Sequence, residues 1–193
     1  MGRNARFRNE DFIDAALKLA SERGPAAVTV GAVAGVTGAP VGSVYHRFVS
    51  RDVIMAEVWL RVVASFQEGF LSLLKKGEGL KAALYTPEWV RSHPAEARVL
   101  ILYRREELVA GDWPEGLKSK AHDVARSLND GISEYAAKTF GKTGNRKLGE
   151  VVFAIVDVPY AAVMRYIRAG RKPPIVVDDL ITKTYYAIMG RKK

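Results

Sequence analysis

Apolar residues recur at helical spacing along nearly the whole chain, and glycine and proline cut that pattern into about nine pieces. No stretch alternates as a half-buried strand would, and no internal repeat or low-complexity tract interrupts the pattern. From Asn9, a cap residue is followed by Glu10 and Asp11, then by Phe12, Ile13, Ala16, Leu17 and Ala20 on one face; Gly24 and Pro25 stop the helix. A short helix starts near Thr29 and carries Val30, Val33 and Ala34 inward, Gly38 makes a turn, and a third short segment spans about 40–48. Ser50 then caps a long helix whose Val53, Ile54, Val58, Val62, Phe66, Phe70 and Leu74 form one stripe. Five more helices fall at about 80–92, 95–109, 115–140, 146–170 and 176–189. The fold expected is all-α, with a three-helix head over residues 1–50 and a larger helical domain over 51–193.

Composition narrows the chemistry. The 193 residues include no cysteine, which removes disulfides, thiolate zinc sites, iron–sulfur clusters and cysteine nucleophiles. His46, His93 and His122 lie far apart without metal-site spacing, and neither a Gly-x-Ser-x-Gly elbow nor a His-Glu-x-x-His pair occurs. No metal, cofactor or catalytic activity is expected. The run from Ala136 to Thr143 imitates a relaxed phosphate loop, but it follows a helix where a working loop follows a strand, so it reads as a helix end. The basic N-terminus lacks the apolar segment of an export signal. The longest apolar stretch, Val151 to Met164, is broken by Asp157 and Pro159 and is short of the roughly 20 residues needed to span a bilayer. No membrane association and a cytoplasmic location are expected.

The net charge of +9 does not locate a partner: residues 1–50 hold six Lys/Arg against four Asp/Glu, and the remainder twenty-four against seventeen. The head's helix lengths and turn chemistry are more specific. A short second helix braces a third that enters the DNA major groove in helix-turn-helix proteins. The run Thr29 to Phe48, and within it Gly38, Gly42, Val44, Tyr45 and Phe48, followed by Ser50, Arg51 and Asp52, resembles the signature of the tetracycline-repressor (TetR) family in residue type and spacing. The resemblance implies a homodimer whose C-terminal helices enclose a pocket for a small-molecule effector.

Departures from that signature are specific. Gly31 and Gly35 stand where helix formers are usual, each costing about 1 kcal/mol relative to alanine. Ala32 lacks the carboxylate that would complete a capping box with Thr29, and Pro40 replaces the usual hydroxyl cap of the third helix while still suiting its first turn. Side-chain chemistry assigns Val41 to a thymine methyl and Ser43 to a base edge, with Gly42 allowing close approach. Thr29, Tyr45, His46 and Arg51 suit phosphates, Pro40 lies beside them, and Arg3, Arg6 and Arg8 resemble a phosphate-seeking arm. Val44 and Phe48 are expected in the core of the head.

In the larger domain, Trp59, Phe66, Phe70, Trp89, Tyr103, Phe153 and Tyr160 are candidates to line an effector pocket, and Trp113 belongs to the same aromatic set. Asp157 and Tyr103 are candidate polar contacts. Pro159 denies the Ile155 carbonyl its helical partner and is expected to disturb the eighth helix near Asp157. One stripe of that helix (Val151, Ile155, Ala162, Tyr166) and one of the ninth (Leu180, Thr184, Ala187, Ile188) are the candidate dimer interface. The expected function is that of a homodimeric repressor that binds an inverted repeat in double-stranded DNA and is released by a mainly apolar effector. An all-α enzyme with an apolar substrate pocket and a DNA-binding scaffold without ligand are the alternatives.

Overall fold

The first helix, α1 (Asn9–Arg23), has Arg8 at its N-cap and Asn9 already inside it. The Asp11 carboxylate reaches back to accept the Arg8 backbone N–H at 2.7 Å, which moves the cap one residue ahead of the asparagine. This bond is the main reason the Asp11 carboxyl titrates below the usual carboxylate range. The computed structural model describes residues 7–102, 113–141 and 144–190, and among these the helices number nine with no strand. After a 3₁₀ turn at Pro25–Ala27 come α2 (Val30–Thr37), α3 (Val41–Tyr45), α4 (Arg51–Lys75), α5 (Gly79–Ser92), α6 (Pro94–Leu102) and α7 (Glu115–Phe140). The expected continuation of α6 to 109 lies outside the described residues. The third helix is shorter than sequence suggests, its last residues forming a turn that leads Phe48 inward.

The eighth helix, α8, is one rod made of Asn145–Val152, a π-helical turn at Phe153–Asp157, and Val158–Arg168; α9 is Val176–Met189. The π turn lies where Pro159 removes a backbone donor: the Val158 N–H bonds the Phe153 carbonyl, five residues back. One extra residue is thereby inserted into the helical repeat. The buried stripe runs Val151, Ile155, Pro159, Val163 and Ile167, so beyond the turn it lies one residue later than the Ala162 and Tyr166 that a regular period gives.

Two buried clusters hold the chain together. One joins the head to the larger domain: Phe12 and Ala16 of α1, Val44 of α3 and Ile54 of α4 share it with Ala97 and Val99 of α6 and Ile167 of α8. The other, at the far end, gathers Phe70, Leu74, Tyr135, Val151, Ile155 and Ile181. Between α5 and α9, Arg91 donates two bonds to the Asp178 carboxylate, at 3.0 and 2.7 Å, with both side chains mostly shielded. A fork-to-carboxylate pair of this kind fixes orientation as well as distance. Among the described residues, no helix is long and apolar enough to cross a membrane.

Candidate nucleic-acid interface and effector site

The head is built by local bonds that leave one face of α3 bare. Thr29 caps α2 by accepting the Ala32 N–H at 3.0 Å, and Ala32 offers no reciprocal bond. At the other end of α2, Gly38 takes the left-handed conformation (φ 69°) that turns the chain toward α3. Val44 and Phe48 are buried, Phe48 meeting Phe12 edge-on at 6.2 Å, which fixes the rotation of α3 about its axis. Pro40, Val41, Gly42, Tyr45 and His46 consequently face solvent, and Ser43 lies half-exposed beside them. Val41 is 47% and Tyr45 56% exposed, a large apolar area for one short helix to leave bare. A Cβ built on Gly42 would touch nothing within 4 Å among the described residues, so none of them demands glycine there.

The arginines divide by what their guanidinium groups already hold. Arg51, assigned to phosphate from sequence, instead donates to the Val28 and Pro25 carbonyls at 2.8 and 2.7 Å and to Asp52 at 2.7 Å. It braces the start of α4 against the turn between α1 and α2, giving a second donor to the Pro25 carbonyl, which already accepts the Val28 N–H at 3.0 Å. Arg47, which sequence reasoning passed over, donates to the Ser43 and Phe7 carbonyls at 3.1 and 2.9 Å and lies over the Phe12 ring. Its partner Phe7 is forty residues away, so no local pattern announces it. Arg8 is exposed and meets Asp11 only at 3.4 Å, leaving its guanidinium accessible. Arg3 and Arg6 lie outside the described residues. Thr29 is exposed, and its hydroxyl hydrogen is not used by the cap.

In the larger domain, Phe66, Phe70 and Trp89 do come together. Phe66 stacks on Phe70 at 5.7 Å, meets Trp89 edge-on at 5.3 Å and leans on Tyr85 at 5.5 Å. Phe70 and Trp89 are buried in this contact, while Phe66 is half-buried. Trp59, also on α4, has a buried indole N–H with no hydrogen-bond partner among the described residues. The buried Gln67 on the same helix makes no side-chain hydrogen bond among the described residues. Trp113 packs, half-buried, against the buried cluster that joins the head to the larger domain, and Tyr103 lies outside the described residues. His93, at the end of α5, stacks on Trp89 at 5.0 Å instead of pointing into solvent. The end of α7 at Phe140 closes on Gly141, whose N–H bonds the Ala137 carbonyl, so the stretch that imitates a phosphate loop begins as a helix C-terminus.

Two sets of sequence assignments exchange places on α8. Val151 and Ile155 are 0% exposed within the single chain, so their side chains offer no surface to a second copy. Ala162 and Tyr166 are half-buried at the margin of the second cluster. Conversely, Phe153 (51% exposed), Asp157 and Tyr160 (46% exposed), assigned to an effector pocket, stand on the outer face of the rod. The π turn accounts for the exchange after residue 155, since a regular helix would have turned a different face outward. On α9, Leu180 and Ala187 are exposed, Thr184 is half-exposed and bonded to the Leu180 carbonyl, and Ile188 packs inward.

Residues 12–58, the head and the start of α4, match the family described as bacterial regulatory proteins, tetR family. The head is therefore similar to that of the TetR family. The TetR likeness extends to the whole fold in solved structures. The fatty acid degradation regulator FadR from Bacillus halodurans has a TM-score of 0.68 at 14% identity, with 97% of each chain covered. A TetR-like transcriptional regulator from Rhodococcus sp. RHA1 gives 0.66 at 18%, covering 98% of this chain and all of its own. FadR from Bacillus subtilis, solved in complex with stearoyl-CoA, gives 0.66 at 15%, covering 96% and 100%. Comparison with curated protein sequences gives no match.

Proposed function

We propose that the chain is a homodimeric, effector-responsive transcriptional repressor. The observation that carries this reading is the bare face of α3: Val44 and Phe48 are locked into the core while Val41, Ser43, Tyr45 and His46 are turned outward together. In a helix-turn-helix head that face enters the major groove. Val41 and Ser43 read base edges there, and Tyr45, His46, Thr29 and Arg8 hold phosphates. Two copies meet through the outer faces of α8 and α9, with Phe153, Tyr160 and Leu180 covered in the pairing, and the resulting two-fold axis sets two heads on one duplex.

The effector enters the larger domain beside Trp59, Phe66 and Trp89. An apolar aromatic wall with an indole N–H that has no partner among the described residues suits a mainly apolar molecule bearing a hydrogen-bond acceptor. Long-chain acyl thioesters are the first compounds to test, given the stearoyl-CoA in the Bacillus subtilis neighbour. Binding favours a separation of the heads that successive major grooves do not accept. Selection from random DNA is the decisive experiment: it should return an inverted repeat with half-sites about 34–36 Å apart or a multiple of that. Adding effector should release the bound sequence and change tryptophan emission. Recovery of DNA without two-fold symmetry would overturn the dimeric reading.

A further inference from the structure

Where α8 ends against the first turns of α6, the chain encloses a notch of about 140 Å³. Its floor is apolar and closed, formed by Val90, Ala97 and Ile167, all buried. Its rim carries Arg98, Arg171 and Lys172, all exposed, and among the described residues no acidic one lines it. None of these three cations has an ion pair or side-chain hydrogen bond among the described residues. Arg91, close by in sequence to this rim, shows the contrast, for it is fully engaged with Asp178. The backbone that presents Arg171 is held in place: Gly170 ends α8 in the left-handed conformation, its N–H bonding the Ile167 carbonyl, and the Arg171 N–H bonds the Tyr166 carbonyl at 2.9 Å.

We propose that this notch binds a small organic anion, an apolar body of about one aromatic ring bearing a carboxylate. Three like charges around one small recess repel one another, and a carboxylate between them removes that repulsion while accepting paired N–H bonds from an arginine fork. The floor supplies the rest of the selectivity. An apolar cavity of about 150 Å³ takes up benzene, so a ring fits here and a nucleotide does not. The site is separate from the aromatic wall beside Trp59 and lies on α6, whose Ala97 shares its buried cluster with Phe12 and Ala16 of the head. An occupant therefore braces the helix on which α1 rests.

Sodium benzoate is the probe, titrated into the full chain with methyl NMR as the readout. Benzoate should shift the Val90, Ala97 and Ile167 methyl resonances, through the ring current, before any others. The double variant Arg98→Gln/Arg171→Gln changes only exposed side chains and should weaken binding at least tenfold. Benzamide, which keeps the ring and loses the charge, should bind at least tenfold more weakly to the unaltered chain. Shifts that miss Ala97 and Ile167, equal affinity in the double variant, or benzamide binding as tightly as benzoate would each overturn the site. None of these results depends on DNA, so the notch can fail while the reading of the head stands, and the reverse.

Discussion

Gly42 separates what the fold needs from what the DNA reading needs. No described residue lies within 4 Å of a Cβ built there, so Gly42→Ala should leave stability unchanged or raise it by up to about 1 kcal/mol. If α3 enters a groove, the added methyl should nevertheless lower specific DNA affinity. Ser43→Ala should cost about 1–3 kcal/mol of discrimination at one base position and little on random DNA. Thermal unfolding together with binding to selected and scrambled duplexes reads both; equal losses on the two duplexes for Ser43→Ala would remove it from base reading. Arg51 belongs to the opposite class, because its donors are spent on the Pro25 and Val28 carbonyls. Arg51→Ala should destabilise the head by about 1–3 kcal/mol, which denaturant unfolding measures, and any loss of DNA affinity should follow from that.

At the scale of elements, α8 decides the most. Along this rod Ile155 is buried in the core while Phe153 and Tyr160 stand outside, so charges introduced at these positions should act differently. Ile155→Asp should unfold the larger domain, since a carboxylate buried without a partner costs several kcal/mol. Leu180→Asp on the exposed face of α9 should keep the melting transition of the protomer and give monomers in sedimentation. A Leu180→Asp variant that stays dimeric at micromolar concentration would show that the pairing face lies elsewhere. In the head, α2 carries glycine at positions 31 and 35 where the space beside each is open, so this helix draws its order from Val33 and Ala34 in the core more than from its own propensity.

For the whole molecule, the first buried cluster runs without a break from the head into the larger domain, the route that the proposed effector response needs. Phe12 and Val44 of the head share it with Ala97, Val99 and Ile167 of the larger domain, so a shift of α6 or of the first half of α4 is felt at α1. Two heads on one duplex also make phosphate contacts in proportion, and the exposed Arg8, Thr29, Tyr45 and His46 of each copy supply them under the proposed reading. Affinity for the selected inverted repeat should accordingly fall about a thousandfold or more between about 50 and 200 mM salt. A nearly flat salt dependence, measured by equilibrium binding, would mean that the heads do not lie on the backbone as proposed.

The helices, their order and the inward faces of the head were legible in the sequence because local rules set them. A stripe such as Phe12, Ile13, Ala16 or Val30, Val33, Ala34 has one energetically acceptable side to bury, and Gly38 and Ser50 mark the ends of helices by their own backbone and side-chain chemistry. The bare face of α3 follows directly, since burying Val44 and Phe48 leaves Val41, Ser43 and Tyr45 outside. Tertiary structure alone decided the roles of Arg47 and Arg51, whose carbonyl partners lie 23 to 40 residues away apart from the Ser43 bond. It also decided α8: the missing donor of Pro159 announces a disturbance, but kink and π turn are both answers to it. The structure has the π turn, with Ala154 and Ile155 packed in the second cluster, and the single inserted residue sets which side chains after it lie inside and which outside.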